Sequence, residues 1–79
     1  MDTPYEVIDL KSGNVIGGYE SEDAALASLR RSLETHGPRA IRDLSLMHIT
    51  DDDQFVVAMQ DDLERLVRDS ALGAIRSPI

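Results

Sequence analysis

The chain has 79 residues, a formal charge of −7 and no cysteine. This length predicts one domain with a small core, and the lack of cysteine excludes disulfides and thiolate metal sites. The acidic surplus disfavours nucleic-acid binding, which needs clustered Lys and Arg, and favours solubility or a basic partner. No apolar run reaches the roughly 20 residues of a membrane span, and no signal peptide is visible. We therefore expect a cytoplasmic protein.

The first part of the chain has the pattern of a β-hairpin over residues 5–19. Strand-forming residues at 5–10 and 15–19 flank the turn sequence Lys-Ser-Gly-Asn, in which Gly and Asn tolerate a positive φ. Gly17 and Gly18 are unusual inside a strand. They predict a bulge, or a place where the helix backbone packs closely.

A helix over residues 21–36 has the clearest signals in the chain. Ser21 is an N-cap residue, and Gly37 followed by Pro38 is a typical helix end. One apolar stripe at helical spacing predicts the buried side: Ala25, Leu26, Leu29 and Leu33. The opposite side carries charged residues and is expected to be solvated.

A second hairpin over residues 44–59 follows a connection in which Ile41 is expected to fill the edge of the core. Asp51, Asp52 and Asp53 form its turn. We interpret this acidic run as a solvated tip, because the spacing of a calcium loop is missing.

The final predicted element is a helix over residues 61–72, capped by Asp61 and ended by Gly73, with a frayed tail over residues 73–79. Ala74 and Ile75 are the residues that would prolong this helix. Its apolar stripe consists of Leu63, Leu66, Val67 and Ala71. Ion pairs at i,i+4 are expected for Asp61 with Arg65 and for Glu64 with Arg68.

The order ββαββα predicts an α+β fold with a four-stranded antiparallel sheet in the order 2-1-3-4 and the central helix on one face. The strands carry apolar residues on both faces, so either the second helix or a second copy of the protein must cover the second face. We favour a second copy, because a domain this small has a marginal core of its own. The candidate interface residues are Val7, Val57, Met59, Leu63 and Leu66.

The residues with reactive side chains form no diagnostic catalytic, cofactor or metal pattern. His36 and His48 lack identifiable third and fourth metal ligands, and the serines lack a nucleophile motif. A modest basic patch is expected around the end of the first helix, formed by Arg30, Arg31, Arg39 and Arg42. We expect no enzyme activity, no cofactor and no metal site.

The sequence from Tyr5 to Leu66 resembles a family of small bacterial proteins. They share the same order of elements: a strand, a turn of the Ser-Gly-Asn type, a second strand, a helix and a hairpin. This resemblance implies the fold and no activity. The hairpin that leads into SEDAALASLRRSLE is similar to the strand-to-helix entry of HicB-type antitoxins. No functional residue is transferred from either resemblance.

Two functions are compatible with these observations. The first is a non-enzymatic protein-interaction module that forms a homodimer or binds a partner chain. The second is an antitoxin-like regulator whose acidic surface neutralises a basic partner protein. A toxin gene beside this one would favour the second.

Overall fold

A computed structural model describes the backbone of residues 3–75 and the side chains of residues 3–70. The chain forms the predicted α+β fold, with all strand pairs antiparallel and the sheet order β2-β1-β3-β4. The elements are β1 (Tyr5–Asp9), β2 (Val15–Tyr19), α1 (Glu22–His36), a 3-10 turn (Pro38–Ala40), β3 (Leu44–Ile49), β4 (Gln54–Met59) and α2 (Gln60–Ile75). The predicted fold class and strand order are confirmed.

Helix α1 begins and ends as its sequence predicts. The Ala24 N–H donates to Ser21 Oγ (3.1 Å), which satisfies one of the free donors of the first turn. At the other end, the Gly37 N–H donates to the Leu33 carbonyl (2.8 Å). Gly37 has φ 83° and ψ 179°, a region that is essentially restricted to glycine. This residue therefore allows the chain to leave the helix.

Both helices pack on the same face of the sheet. Among the described side chains, one apolar core joins Val7, Ala25, Leu26, Leu29, Ile41, Leu44, Leu46, Ala58, Leu63 and Val67. Leu63 and Val67 of α2 are fully buried in this cluster together with the α1 stripe. The second helix thus shares the face of α1 and does not cover the other one. The Cα atoms extend only 17 Å in the thinnest direction, as expected for one sheet with a single helical layer.

Helix α2 differs from the prediction at both ends. It begins directly after β4 at Gln60, which has φ 53°, so a single left-handed residue turns the strand into the helix. Asp61 consequently lies in the first turn rather than at the cap. The helix continues through Gly73 to Ile75, so the predicted end at Gly73 is wrong. Residues 76–79 of the expected tail and the Ala71 side chain lie outside the described part.

One of the two predicted ion pairs of α2 is present. Arg68 Nη2 lies 2.7 Å from Glu64 Oε2, at the predicted spacing of four residues. Arg65 instead approaches Asp62 at 3.5 Å, three residues away, so the expected pair with Asp61 is wrong. All of these groups are on the helix surface, where such pairs contribute about 0.5 kcal/mol or less.

Both edge strands contain a β-bulge. In β2, Gly17 lies opposite Val7 while Val15 lies opposite Ile8, which leaves Ile16 as the extra residue. In β4, Ala58 lies opposite Leu46 while Val56 lies opposite Met47, which leaves Val57 as the extra residue. The bulge that the paired glycines predicted is therefore present.

Gly17 makes room for a side chain rather than for the helix backbone. A Cβ atom at Gly17 would lie 2.7 Å from Tyr19 Oη. The Tyr19 hydroxyl lies 3.0 Å from Ser28 Oγ of α1, within hydrogen-bond distance. The Tyr19 ring thus crosses Gly17 to reach the helix, and this link fixes α1 against the edge strand.

Candidate functional site: the open face of the sheet

The face of the sheet opposite the helices is apolar and uncovered in the single chain. We call it the open face and define it by the side chains of Ile8, Val15, Met47, Ile49, Val56 and Met59. The strand register places these residues on the opposite side from buried Val7 and Leu46. Val15 is 53% exposed and Val56 is 50% exposed, so hydrophobic side chains at both edges of this face contact water.

The open face is organised in rows that cross all four strands. One row places Ile8 of β1 and Ser45 of β3 between Val15 of β2 and Met59 of β4. Ser45 is only 2% exposed, since this short side chain lies between larger neighbours. Its hydroxyl contacts the sulfur of Met47 at 3.5 Å. The centre of the face is therefore smooth and nearly free of polar groups.

Two polar residues interrupt this apolar character. Gln54 lies opposite Ile49 in the edge strand β4 and is exposed. Glu6 lies in the neighbouring row, opposite Gly18 on one side and Met47 on the other. Its side chain is half-buried. A partner that covers this face must either leave the carboxylate in water or supply a group that hydrogen-bonds to it.

The predicted interface residues do not form one surface. Val7 is 1% exposed and Leu63 is 0% exposed, so neither is available to a partner, and their assignment to an interface is wrong. Val57 and Leu66 are half-buried against the helix-side core. Met59, at 37% exposed, belongs to the open face.

The bulge at Val57 explains why Val57 and Met59 lie on different faces. Strict alternation along β4 places Val57 and Met59 on the same face and Val56 on the other. Because the bulge adds one residue opposite Leu46, Val57 stays on the helix side while Val56 and Met59 share the open face. The open-face residues missed as candidates are Ile8, Val15, Met47, Ile49 and Val56. Alternation relative to the core residues Val7 and Leu46 identifies Ile8, Met47 and Ile49, whereas Val15 and Val56 lie beyond the bulges.

The acidic turn between β3 and β4 is closed by hydrogen bonds between Thr50 and Asp53. The Asp53 N–H donates to Thr50 Oγ1 (3.0 Å), and the Thr50 N–H donates to the Asp53 carbonyl (2.8 Å). The side chains of Asp51, Asp52 and Asp53 are exposed. Within the described residues, no group of three or more acidic, His or Cys side chains is arranged to hold a metal ion.

The two histidines occupy separate places. His48 stacks on Tyr5 with ring centroids 4.4 Å apart and an interplanar angle of 7°, in a row that also contains Tyr19 and Phe55. This aromatic row lies on the helix side of the sheet, beside Val7 and Leu46. His36 is exposed at the end of α1. His48 is therefore part of the aromatic packing on the sheet, and the two histidines do not form a common site.

A shallow groove of about 660 Å³ runs between the two helices. Its floor contains Leu26, Ala27 and Leu66, and its rim carries Asp23, Arg30 and Asp69. Arg30 thus belongs to this groove, whereas Arg31, Arg39 and Arg42 of the predicted basic patch are exposed. The mixed charges of the rim give the groove no preference for one type of ligand.

Comparisons with known proteins add no family to this description. Scans against protein-family models, curated proteins and solved structures found no match to the chain. The two resemblances noted in the sequence therefore remain expectations. Neither described helix has the length and apolar character needed to cross a bilayer.

Proposed function

We propose that this protein is a non-enzymatic interaction module that self-associates through the open face. One observation carries this proposal: apolar side chains line the open face of the sheet, while both helices pack on the opposite face. Val15, Val56 and Met59 are exposed in the single chain. Docking a second copy removes these side chains from water, which is favourable in proportion to the apolar area buried.

The edges of the sheet are poorer docking sites than its open face. An edge strand pairs with another chain most easily when it is flat and regular, and a bulge twists it away from such pairing. The bulges at Ile16 and Val57 lie in the two edge strands, β2 and β4. Face-to-face packing is therefore the more favourable mode of association.

The size of the open face sets the strength of the contact. Four strands about 4.8 Å apart, each about 18 Å long, give a flat area of roughly 350 Å² per copy. Two such faces bury roughly 700 Å² before the relief of the side chains is added, which is below the roughly 1,200 Å² of stable specific interfaces and in the range of weak, transient contacts. Each copy also carries a charge of −7, which opposes association. We therefore expect a weak dimer that dissociates on dilution.

Two neighbouring residues of β4 provide a matched test. Val56 is on the open face, whereas Phe55 pairs with His48 on the helix side, and the two side chains are 50% and 53% exposed. Val56→Asp should abolish the concentration-dependent increase in mass measured by sedimentation equilibrium, because it places a charge in an apolar contact. Phe55→Asp should leave this increase intact.

Circular dichroism must show that both variants keep the wild-type fold. Val15→Asp, at the opposite edge of the open face, provides a second disrupting variant if Val56→Asp fails to fold. Equal dimerisation of Val56→Asp, Val15→Asp and the wild type would contradict the proposal.

The acidic regulator remains the second candidate, supported by the position of Glu6. A carboxylate in the middle of an apolar face suits an occupant that supplies one basic group. If the wild type is monomeric at every concentration, the open face would have to bind a different, basic protein.

A further inference from the structure

The described residues are unevenly charged along the strand direction. One end of the sheet is where β1 begins and where β2 and β3 end, as the hydrogen bond from the Ile49 N–H to the Pro4 carbonyl shows. Glu20 directly follows β2 at this end, and the acidic turn follows β3. We call this the acidic end and define it by Glu20, Asp51, Asp52 and Asp53. Among residues 3–75, no Lys or Arg belongs to this end.

The opposite end of the sheet has a different charge. There the Leu10 N–H donates to the Asp43 carbonyl, which joins the β1–β2 turn to the segment before β3. We call this the basic end and define it by Lys11, Arg39 and Arg42, all exposed. Lys11 Nζ lies 3.4 Å from Asp43.

The remaining carboxylates of the basic end are engaged or distant from the open face. Asp9 accepts hydrogen bonds from the Lys11 N–H (3.0 Å) and the Ser12 hydroxyl (3.1 Å), which close the turn. Asp61 and Asp62 begin α2 and, like Glu34 near the end of α1, belong to the helical layer on the other side of the sheet, as Glu22 and Asp23 do at the acidic end. Around the open face, the acidic end therefore carries four carboxylates and no described Lys or Arg, whereas the cations of the basic end offset its carboxylates Asp9 and Asp43.

We propose that two copies pack open face to open face with their strands running in opposite directions, so that the acidic end of each copy lies over the basic end of the other. This inference rests on the proposed function. Sheets that pack in the aligned mode keep their strands within about 30° of each other and lie about 10 Å apart. A two-fold dimer then has two choices: like ends face each other, or unlike ends do.

Electrostatics separates these two choices. At about 0.1 M salt the screening length is about 10 Å, similar to the distance between packed sheets. The ends of one copy are about 20 Å apart, the length of six extended residues. Each end is therefore affected mainly by the end that it faces. Facing the two acidic ends would place two clusters of four carboxylates against each other, whereas the opposite arrangement places each cluster over Lys11 and Arg42.

A charge exchange tests this arrangement. The first variant, Lys11→Glu with Arg42→Glu, makes both ends acidic. The second, Asp51→Lys with Asp52→Lys, reverses part of the acidic end and keeps Asp53 and Thr50, which close the turn. Sedimentation equilibrium of each variant alone at about 0.1 M salt should show a dimer dissociation constant raised about tenfold.

The variants measured alone decide between the two arrangements, because facing like ends would weaken neither of them, and their mixture checks that the altered ends are complementary. In an equimolar mixture the altered ends become complementary, so the heterodimer should form with at least the wild-type affinity. At about 1 M salt, where the screening length is about 3 Å, the differences between variants and wild type should disappear. Circular dichroism of each variant controls for folding.

Other outcomes separate this inference from the proposed function. If both variants dimerise like the wild type, or if their mixture does not recover, the opposed arrangement is wrong while self-association through the open face stands. If the wild type is monomeric, both are wrong.

Discussion

Replacing Gly17 with alanine tests how the edge strand is joined to helix α1. The backbone at Gly17 lacks the positive φ found at Gly13 and Gly37, so alanine is compatible with its conformation. The new Cβ atom, however, would lie 2.7 Å from Tyr19 Oη and 3.1 Å from the ring. The Tyr19 ring must therefore move. This movement breaks the hydrogen bond between the Tyr19 hydroxyl and Ser28 Oγ, which are 3.0 Å apart in the wild type.

The cost of Gly17→Ala is estimated from two losses and one gain. Loss of the hydrogen bond costs about 1 kcal/mol, and loss of ring packing costs about 1 kcal/mol more. Alanine recovers about 0.4–1 kcal/mol by restricting the unfolded chain. The net destabilisation is thus about 1 kcal/mol, which lowers the melting temperature by about 4–8 °C in a domain of this size.

A double-mutant cycle identifies the cause. Thermal unfolding should show that Gly17→Ala costs less in a Tyr19→Ala background, because the obstructing ring is absent. Gly18→Ala is the control, since its Cβ atom would meet only the side chain of exposed Thr3. Equal costs of Gly17→Ala in both backgrounds would refute this account of the glycine.

Two further substitutions test the core and the open face. Leu29→Ala should lower the free energy of unfolding by about 2–5 kcal/mol, since Leu29 is buried in the stripe of α1; a melting temperature within a degree or two of wild type would contradict this. Glu6→Gln should lower the dimer dissociation constant several-fold, because docking then no longer removes water from a charged carboxylate. Either of two results would contradict this: an unchanged dimer would place Glu6 outside the contact, and a weaker dimer would show that the second copy supplies a group that binds the carboxylate.

The sequence was sufficient for features that depend on local signals. Ser21 and Gly37 mark the ends of α1 through their own backbone chemistry, and the four strands follow from short apolar runs between turns. The strand order followed from connectivity, because the helix between the hairpins returns the chain along the sheet.

The candidate site depended on features without a local signal. The bulge at Val57 reverses the alternation of β4, and nothing in the run Gln-Phe-Val-Val-Ala-Met distinguishes the extra residue. The stripe of α2 showed that the helix is amphipathic but not which face of the sheet it covers, since both faces are apolar. Gly73 lies inside the helix. Glycine is about 1 kcal/mol less favourable than alanine in a helix, and this difference was too small to end α2.

Sedimentation equilibrium of the wild-type protein tests the central claim most directly. Self-association through the open face predicts that the apparent mass rises from that of one 8.7 kDa chain toward twice this value as the concentration increases from about micromolar to hundreds of micromolar. A mass that stays at 8.7 kDa over the whole range would contradict self-association through the open face.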